Sequence, residues 1–264
     1  MPSPTPRMLA EKHGAVGRMV FNKPERLNAT SLDMWEAIPT ILDDFESDPA
    51  IRVIVVTGAG DKAFVSGADI SEFETVRSTP EQVQRYEEIA ERASGRLARC
   101  SKPTIARIRG YCVGGGLATA LTCDLRIASE DSRFAVPAAK LGLGYRAAGI
   151  QTLMSLVGPA FAKEIFYTGR QFTAAEAQGM GLVNRVVPVA ELDAYVMRYC
   201  ETIAANAPLT IHAVKRTVEE LSRLDGRPDL GRSAALVKEC FESADYIEGR
   251  RAFMEKRRPV FKGR

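Results

Sequence analysis

The sequence predicts an α/β fold, a mostly parallel sheet core followed by a helical C-terminal piece. Two observations predict it. Short apolar, β-branched runs alternate with stretches of helical spacing up to about residue 188, and helical spacing dominates after that point. The length of 264 residues suits one large domain, or one domain with a helical appendage.

Taken in order, Val16 to Phe21 alternates well enough for an early strand, and NKPERLNA (Asn22 to Ala29) reads as a loop. Ser31 to Asp48 has apolar residues at helical spacing, with Ser31 as a plausible N-cap. IRVIVVTG (Ile51 to Gly58) is a continuous apolar run ending in glycine, as expected of a strand buried on both faces. GAGDKAFVSGAD is loop-like. Thr79 to Arg99 reads as helix, with Pro80 in the favoured first turn. KPTIARIRG (Lys102 to Gly110) is a strand, Leu117 to Thr122 a short helix of small residues, and DLRIAS (Asp124 to Ser129) a third inner strand. Helices are expected at Gly149–Leu156, Pro159–Tyr167 and Ala174–Gln178, and a strand at Leu182 to Pro188. The rest is mostly helical. A helical tail after a complete α/β core often packs on a neighbour, so an oligomer is expected.

Bulk composition narrows the function. Hydrophobic residues make up 45% and charged residues 26%, ordinary for a globular chain, and the net charge of +3 gives no case for nucleic-acid binding. No apolar run is long enough for a membrane span, and MPSPTPRMLAEKHG lacks the apolar core of a signal peptide, so a cytoplasmic location is expected. The five cysteines form no CxxC pair and read as buried reduced thiols; no metal site is expected. With only His13 and His212, a histidine-based triad is a poor fit.

Two turns carry the chemistry. FVSGADI (Phe64 to Ile70) follows the strand at Ile51 to Gly58, and GYCVGGGLATA (Gly110 to Ala120) follows the strand at Lys102 to Gly110. Each places glycine after a parallel strand and before a helical segment, where α/β sheets bind ligands. Free N–H groups at a helix start favour negative charge. Two aimed at one point would make an oxyanion hole. Either turn alone is equally well read as a tight turn that needs positive φ and nothing more. Neither matches the phosphate loop GxxxxGK[ST] or the dinucleotide pattern GxGxxG.

Together these turns resemble the enoyl-CoA hydratase/isomerase family, also called the crotonase family. NKPERLNATS, KAFVSGADISEF, the run from Gly110 to Gly144, the run from Gly158 to Pro188, and the ending FESADYIEGRRAFMEKRRPVFKGR match that family in order along nearly the whole chain. The resemblance implies a crotonase-like ββα spiral core over residues 1–200 and a C-terminal helical trimerisation region over 201–264. It implies a homotrimer or dimer of trimers, and a coenzyme A thioester as substrate with no covalently bound cofactor. The backbone N–H groups of Ala68 and Gly115 would bind the thioester oxygen. The early loop, at Arg26 and Leu27, and the segment Ser66, Ala68, Asp69 and Ile70 would hold the adenine end through the backbone. Phe253 and Lys256 match tail positions that reach the coenzyme A of a neighbouring subunit. From Gly249 to Arg264 there are seven Lys or Arg and one acid, Glu255, a balance that suits a phosphate-rich ligand but is equally that of a solvated basic tail.

The sequence departs from the family where the hydratase keeps two glutamates. One position, three residues after Gly115, is Ala118; the other, after Pro137, is Ala138. In the family that pair activates water and protonates the α-carbon, work that alanine cannot do. Hydration is therefore expected to be weak or absent, while an oxyanion hole alone can still promote decarboxylation or proton exchange. LGLGYRAAGIQTL (Leu141 to Leu153) resembles the matching stretch of methylmalonyl-CoA decarboxylase in the same family, where a tyrosine lies at the active site; Tyr145 would be its counterpart. That decarboxylase has histidine where this chain has Ala68. Arg146 would pair with a substrate carboxylate or face solvent. Asp69, Glu72 and Glu74 are further acids near the first turn, Asp69 being mostly structural in the family. A protein that holds acyl-CoA without turning it over is the reading from outside enzymology.

Overall fold

The computed structural model describes residues 3–72, 78–223 and 226–264. Glu74 lies outside the described residues.

Among the described residues, ten strands form two sheets. The larger contains β1 (Met8–His13), β2 (Val16–Phe21), β3 (Val53–Gly58), β5 (Thr104–Ile108), β7 (Leu125–Ser129) and β10 (Arg185–Val187), side by side in that order. Only the β1–β2 pair is antiparallel. The smaller sheet runs β4 (Ala63–Val65), β6 (Tyr111–Val113), β8 (Arg133–Ala135) and β9 (Phe172–Thr173), parallel except for β8 with β9. The described helices are α1 (Leu32–Ser47), α2 (Pro80–Ala98), α3 (Gly115–Thr122), α4 (Ala147–Thr168), α5 (Ala174–Gly179), α6 (Leu192–Ala205), α7 (Pro208–Leu221), α8 (Leu230–Glu242) and α9 (Ala244–Met254).

The chain repeats one step. A strand in the large sheet is followed by a strand in the small sheet and then a helix: β3–β4–α2, β5–β6–α3, β7–β8–α4. This is the ββα spiral implied by the resemblance. The apolar run of β3 is buried on both faces because the sheet is covered twice. Val53 and Val55 point to a cluster with Ile105, Ile127, Leu192 and Val196, under α6. Ile54 and Val56 point to the main core with Met34, Ile38, Ile41, Leu42 and Phe45 of α1. Alternation with a period of two thus serves two separate apolar layers.

Three expectations need correction. MLAEKH, left unassigned by pattern, is the edge strand β1, half exposed and hydrogen-bonded to β2. The stretch GAGDKAFVSGAD contains a strand, β4. The helices expected at Gly149–Leu156 and Pro159–Tyr167 are one element, α4, kinked at Gly158, where φ is 75° and Pro159 follows. The cysteines are free, and four are buried, with Cys112 and Cys123 pushed up by desolvation, the latter to about 12. Among the described residues there is no group of metal-ligating side chains, and no helix is long and apolar enough to cross a membrane.

Candidate active site

Neighbouring parallel strands end at the same edge, so the turns that leave them lie side by side. Val65 of β4 pairs with Cys112 of β6. Ala68 and Gly115 each lie three residues beyond those partners. Val113 of β6 pairs with Ala135 of β8, and three residues beyond Ala135 is Ala138. The small sheet therefore delivers three turns to one rim: that of Ala68, that of Gly115 and Ala118, and that of Ala138.

The first turn is clamped along its length to the early loop. Ser66 donates its N–H to Leu27 O (3.1 Å), Thr30 donates to Gly67 O (2.8 Å), and Asp69 donates to Thr30 O (2.9 Å). Thr30 and Ala68 form a parallel bridge. In such a bridge Gly67 O and Asp69 N–H face Thr30, so the intervening Ala68 N–H faces away from it. It faces the second turn. A Cβ built on Gly115 would stand 4.0 Å from Ala68 N, and one built on Gly67 would stand 4.0 Å from Gly115 N. Neither the Ala68 nor the Gly115 N–H has a hydrogen-bond acceptor among the described residues. Gly115 opens α3, whose first N–H groups lack intrahelical partners and whose dipole presents positive charge at that end.

The three glycines serve different ends. Gly114 takes φ 54°, a left-handed backbone, and its N–H is held by Ala135 O at 2.8 Å. Gly115 keeps the space before Ala68 open. Gly116 lets α3 approach β4, since a Cβ there would fall 2.0 Å from Val65 O. The tight-turn reading holds for Gly114 and does not account for the other two. Trp35 of α1 closes one side of the cleft, its Cζ2 being 4.0 Å from the Gly115 Cβ position, and its indole N–H donates to Tyr86 Oη at 2.9 Å.

Charge around the first turn is fully paired. Asp69 is buried; its Oδ2 meets Lys23 Nζ at 2.5 Å and its Oδ1 accepts from Ser71 N and Oγ. Burial pushes its pKa up, but the Lys23 and Ser71 hydrogen bonds outweigh that and hold it at about 2. Glu72 pairs with Arg7 (3.3 Å) and Lys23 (3.7 Å). Arg26 is exposed at the end of a 3-10 turn, Leu27 takes a left-handed φ of 53°, and Ile70 is exposed.

Ala118 lies one turn into α3 on the face of Gly115, and Ala138 is buried in the 3-10 turn after β8. Both are on the shared rim, and neither offers a proton. Tyr145 packs edge-on against Phe166 with ring centres 4.7 Å apart. Burial pushes its pKa up, and its hydroxyl has no hydrogen-bond partner among the described residues. Of the two roles open to Arg146, the structure shows the solvent-facing one: it is exposed and pairs with Glu87 and Glu91 of α2.

Phe253 and Lys256 sit at the exposed end of α9, and no hydrogen bond or ion pair joins them to either turn among the described residues. The ending is not a free basic tail. Arg257 is paired with Glu248 and Glu255, and Asp245 accepts the N–H groups of Lys262 and Gly263 at 2.7 Å. The clamp residues Lys23, Asn28 and Thr30, and Trp35 at the cleft, were not singled out from the sequence. The one local signal was Asn28, a residue type that tolerates the left-handed backbone it adopts at φ 56°.

Two convergent N–H groups at a helix start can hydrogen-bond a single acceptor oxygen. Known proteins resemble this chain along nearly its whole length. A family model described as enoyl-CoA hydratase/isomerase matches residues 11–264. The chain is 33% identical to a short-chain-enoyl-CoA hydratase of Clostridium acetobutylicum over 251 residues, covering 95% of each. It is 32% identical to a crotonyl-CoA hydratase of Syntrophomonas wolfei, covering 96% of this chain and 97% of that one. A solved structure of an enoyl-CoA hydratase/carnithine racemase from Magnetospirillum magneticum superposes with a TM-score of 0.91 at 35% identity, over 98% of this chain and 97% of that one. By its spiral, its paired turns and these matches, the chain belongs to the enoyl-CoA hydratase/isomerase family, the crotonases.

Proposed function

We propose that the protein binds an acyl-CoA thioester with its carbonyl oxygen between the N–H groups of Ala68 and Gly115, stabilises the enolate formed there, and hydrates 2-enoyl-CoA weakly or not at all. The observation that carries this reading is the pair of unused N–H groups facing each other across a cleft kept open by glycine. Each such donor contributes about 3–4 kcal/mol to a developing oxyanion. Ala118 and Ala138 stand on the same rim where the family's carboxylates would move protons to and from water. Each missing acid or base costs roughly two to four powers of ten.

Coenzyme A would lie along the backbone of Arg26, Leu27, Ser66, Asp69 and Ile70, with Phe253 and Lys256 reaching it from a neighbouring subunit of a homotrimer or dimer of trimers. The helices after residue 200 would make the contacts between subunits, and the protein would act in the cytoplasm without nucleic acid or membrane.

A second reading within the family is decarboxylation of a malonyl-type acyl-CoA. The free hydroxyl of Tyr145 favours it. The bond from the α-carbon to the carboxylate breaks, its electron pair moves to the thioester oxygen, carbon dioxide leaves, and Tyr145 protonates the α-carbon before recovering its proton from solvent.

The test is an assay panel. With crotonyl-CoA, hydration below ~1 s⁻¹ is expected, and ordinary enzyme rates would overturn the reading. Methylmalonyl- and ethylmalonyl-CoA are followed for carbon dioxide, and release from neither removes the second reading. Trp35, the only tryptophan, borders the cleft and reports occupancy by its emission. Binding without turnover across the panel would leave a non-catalytic acyl-CoA carrier.

A further inference from the structure

We infer that Lys23 is a positioning residue that sets the Ala68 N–H against its acceptor. The inference rests on the thioester-binding reading above. Lys23 does not reach the cleft; it acts through Asp69, the residue that follows Ala68. Its ammonium is mostly buried and meets Asp69 Oδ2 at 2.5 Å. The base of the side chain is fixed as well. Lys23 N–H donates to Asn28 Oδ1 at 2.9 Å, and Lys23 O accepts from Arg26 and Asn28. Asn28, fully buried, holds Ala59 O and Ala63 O with its amide. The loop that carries Lys23 is thus tied to the start of β4, and the lysine head is tied to the turn that leaves β4.

The other ties on this turn to the early loop are backbone hydrogen bonds to Leu27 and Thr30 and the Thr30 hydroxyl on Gly67 O, all uncharged. Lys23 supplies the ionic tie. Asp69 has no other cation in ion-pair contact among the described residues. Without Lys23 a buried carboxylate would keep only the Ser71 hydrogen bonds and no counter-charge, and such a group moves toward water or takes up a proton. Either response releases Asp69 and lets the turn relax back through Ala68, turning the Gly67–Ala68 peptide that carries the Ala68 N–H. A donor shifted by about 1 Å can lose roughly a hundredfold in rate, and the loss falls more on polarisation of the carbonyl than on the grip on coenzyme A, because Ser66 stays bonded to Leu27.

The test reads the carbonyl directly. Acetyl-CoA labelled with ¹³C at the thioester carbon is bound to the wild type, Lys23→Met and Lys23→Arg, and the carbonyl stretch is recorded by isotope-edited difference infrared spectroscopy, with affinity from calorimetry. The wild type is expected to lower the stretch. Lys23→Met is expected to lose at least half of that shift with a smaller proportional loss of affinity, and Lys23→Arg to recover most of both. A full shift in Lys23→Met overturns the inference and leaves the thioester-binding reading standing. No shift in the wild type overturns that reading, and this inference with it. Should Lys23→Met fail to fold, Lys23→Gln replaces it, keeping a donor for Asp69 without the charge, and a full shift there overturns the inference equally.

Discussion

Asp69 follows the free N–H of Ala68, and both of its oxygens are engaged, one by Lys23 and the other by Ser71. A residue in that position fixes the backbone of its neighbour more than it takes part in chemistry. Its pKa gives the role a sign. Folding lowers it from an ordinary 3.8 to about 2, so the stabilisation it contributes is present above the unfolded value and is lost as pH falls through the folded one. The window of loss therefore runs from about pH 4 down to about pH 2. Asp69→Asn is expected to be less stable than the wild type at neutral pH, and the difference should shrink across that window. Urea midpoints measured from pH 7 to pH 2 check this; a gap that stays constant would mean that Asp69 is not ionised in the fold. Such pairings explain why the site was only partly legible. Ala68 and Gly115 could be placed by resemblance because they lie in short contiguous motifs. Lys23 and Asp69 are 46 residues apart, and nothing local marks them as partners. The surface position of Arg146 was anticipated, but its partners Glu87 and Glu91 were not, for the same reason: they stand on another helix.

Among the elements, most helices and the inner strands of the large sheet were legible, the short α3, α5 and β10 included, and the strands of the small sheet were not. β3, α1 and α2 extend over enough residues to show a period. β4, β6, β8 and β9 have two or three residues each, too few for any alternation, yet they form the sheet that brings the turns together. Their legible trace is glycine, and Gly116 shows why. Its missing side chain is where α3 meets the end of β4, with Val65 O only 2.0 Å from where a Cβ would go. Because that obstacle is backbone, it cannot swing aside as a side chain would. Gly116→Ala is expected to push α3 off β4, costing about 1–3 kcal/mol as overpacking does and displacing Gly115. Gly179 is the control. It also lies in a helix, α5, but has open space around it. Gly179→Ala should be neutral or slightly stabilising, since alanine restricts the unfolded chain more than glycine. Thermal melts of the two variants decide the point, and equal midpoints would refute the close-approach account of the third glycine.

Across the whole molecule, exposed large apolar side chains fall mostly on two stretches, Leu141 to Tyr167 and the helices after residue 205. Val214, Val218 and Leu221 of α7 and Val237 and Phe241 of α8 are each about half exposed or more. Several of them line an apolar groove of about 830 Å³ bounded by α7, α8 and α9. Contiguous apolar surface of this kind is costly to leave in water and marks a surface that is covered in use. Phe253 and Met254 extend it at the end of α9, beside the tail that Asp245 and Glu248 pin down. A tail held this firmly can present Phe253 and Lys256 to another subunit in a fixed pose. A homotrimer, as proposed, would have a physical reason beyond resemblance: the same helices that lack cover in one chain would supply cover to the next. Light scattering of the wild type is expected to give three chains or a multiple of three. Val218→Lys with Phe241→Glu places charges in the groove and should yield monomers, with an unchanged circular dichroism spectrum because the spiral core does not depend on that face. A wild-type monomer would refute the arrangement. So would a double variant that assembles as well as the wild type, since the groove would then have no part in holding subunits together.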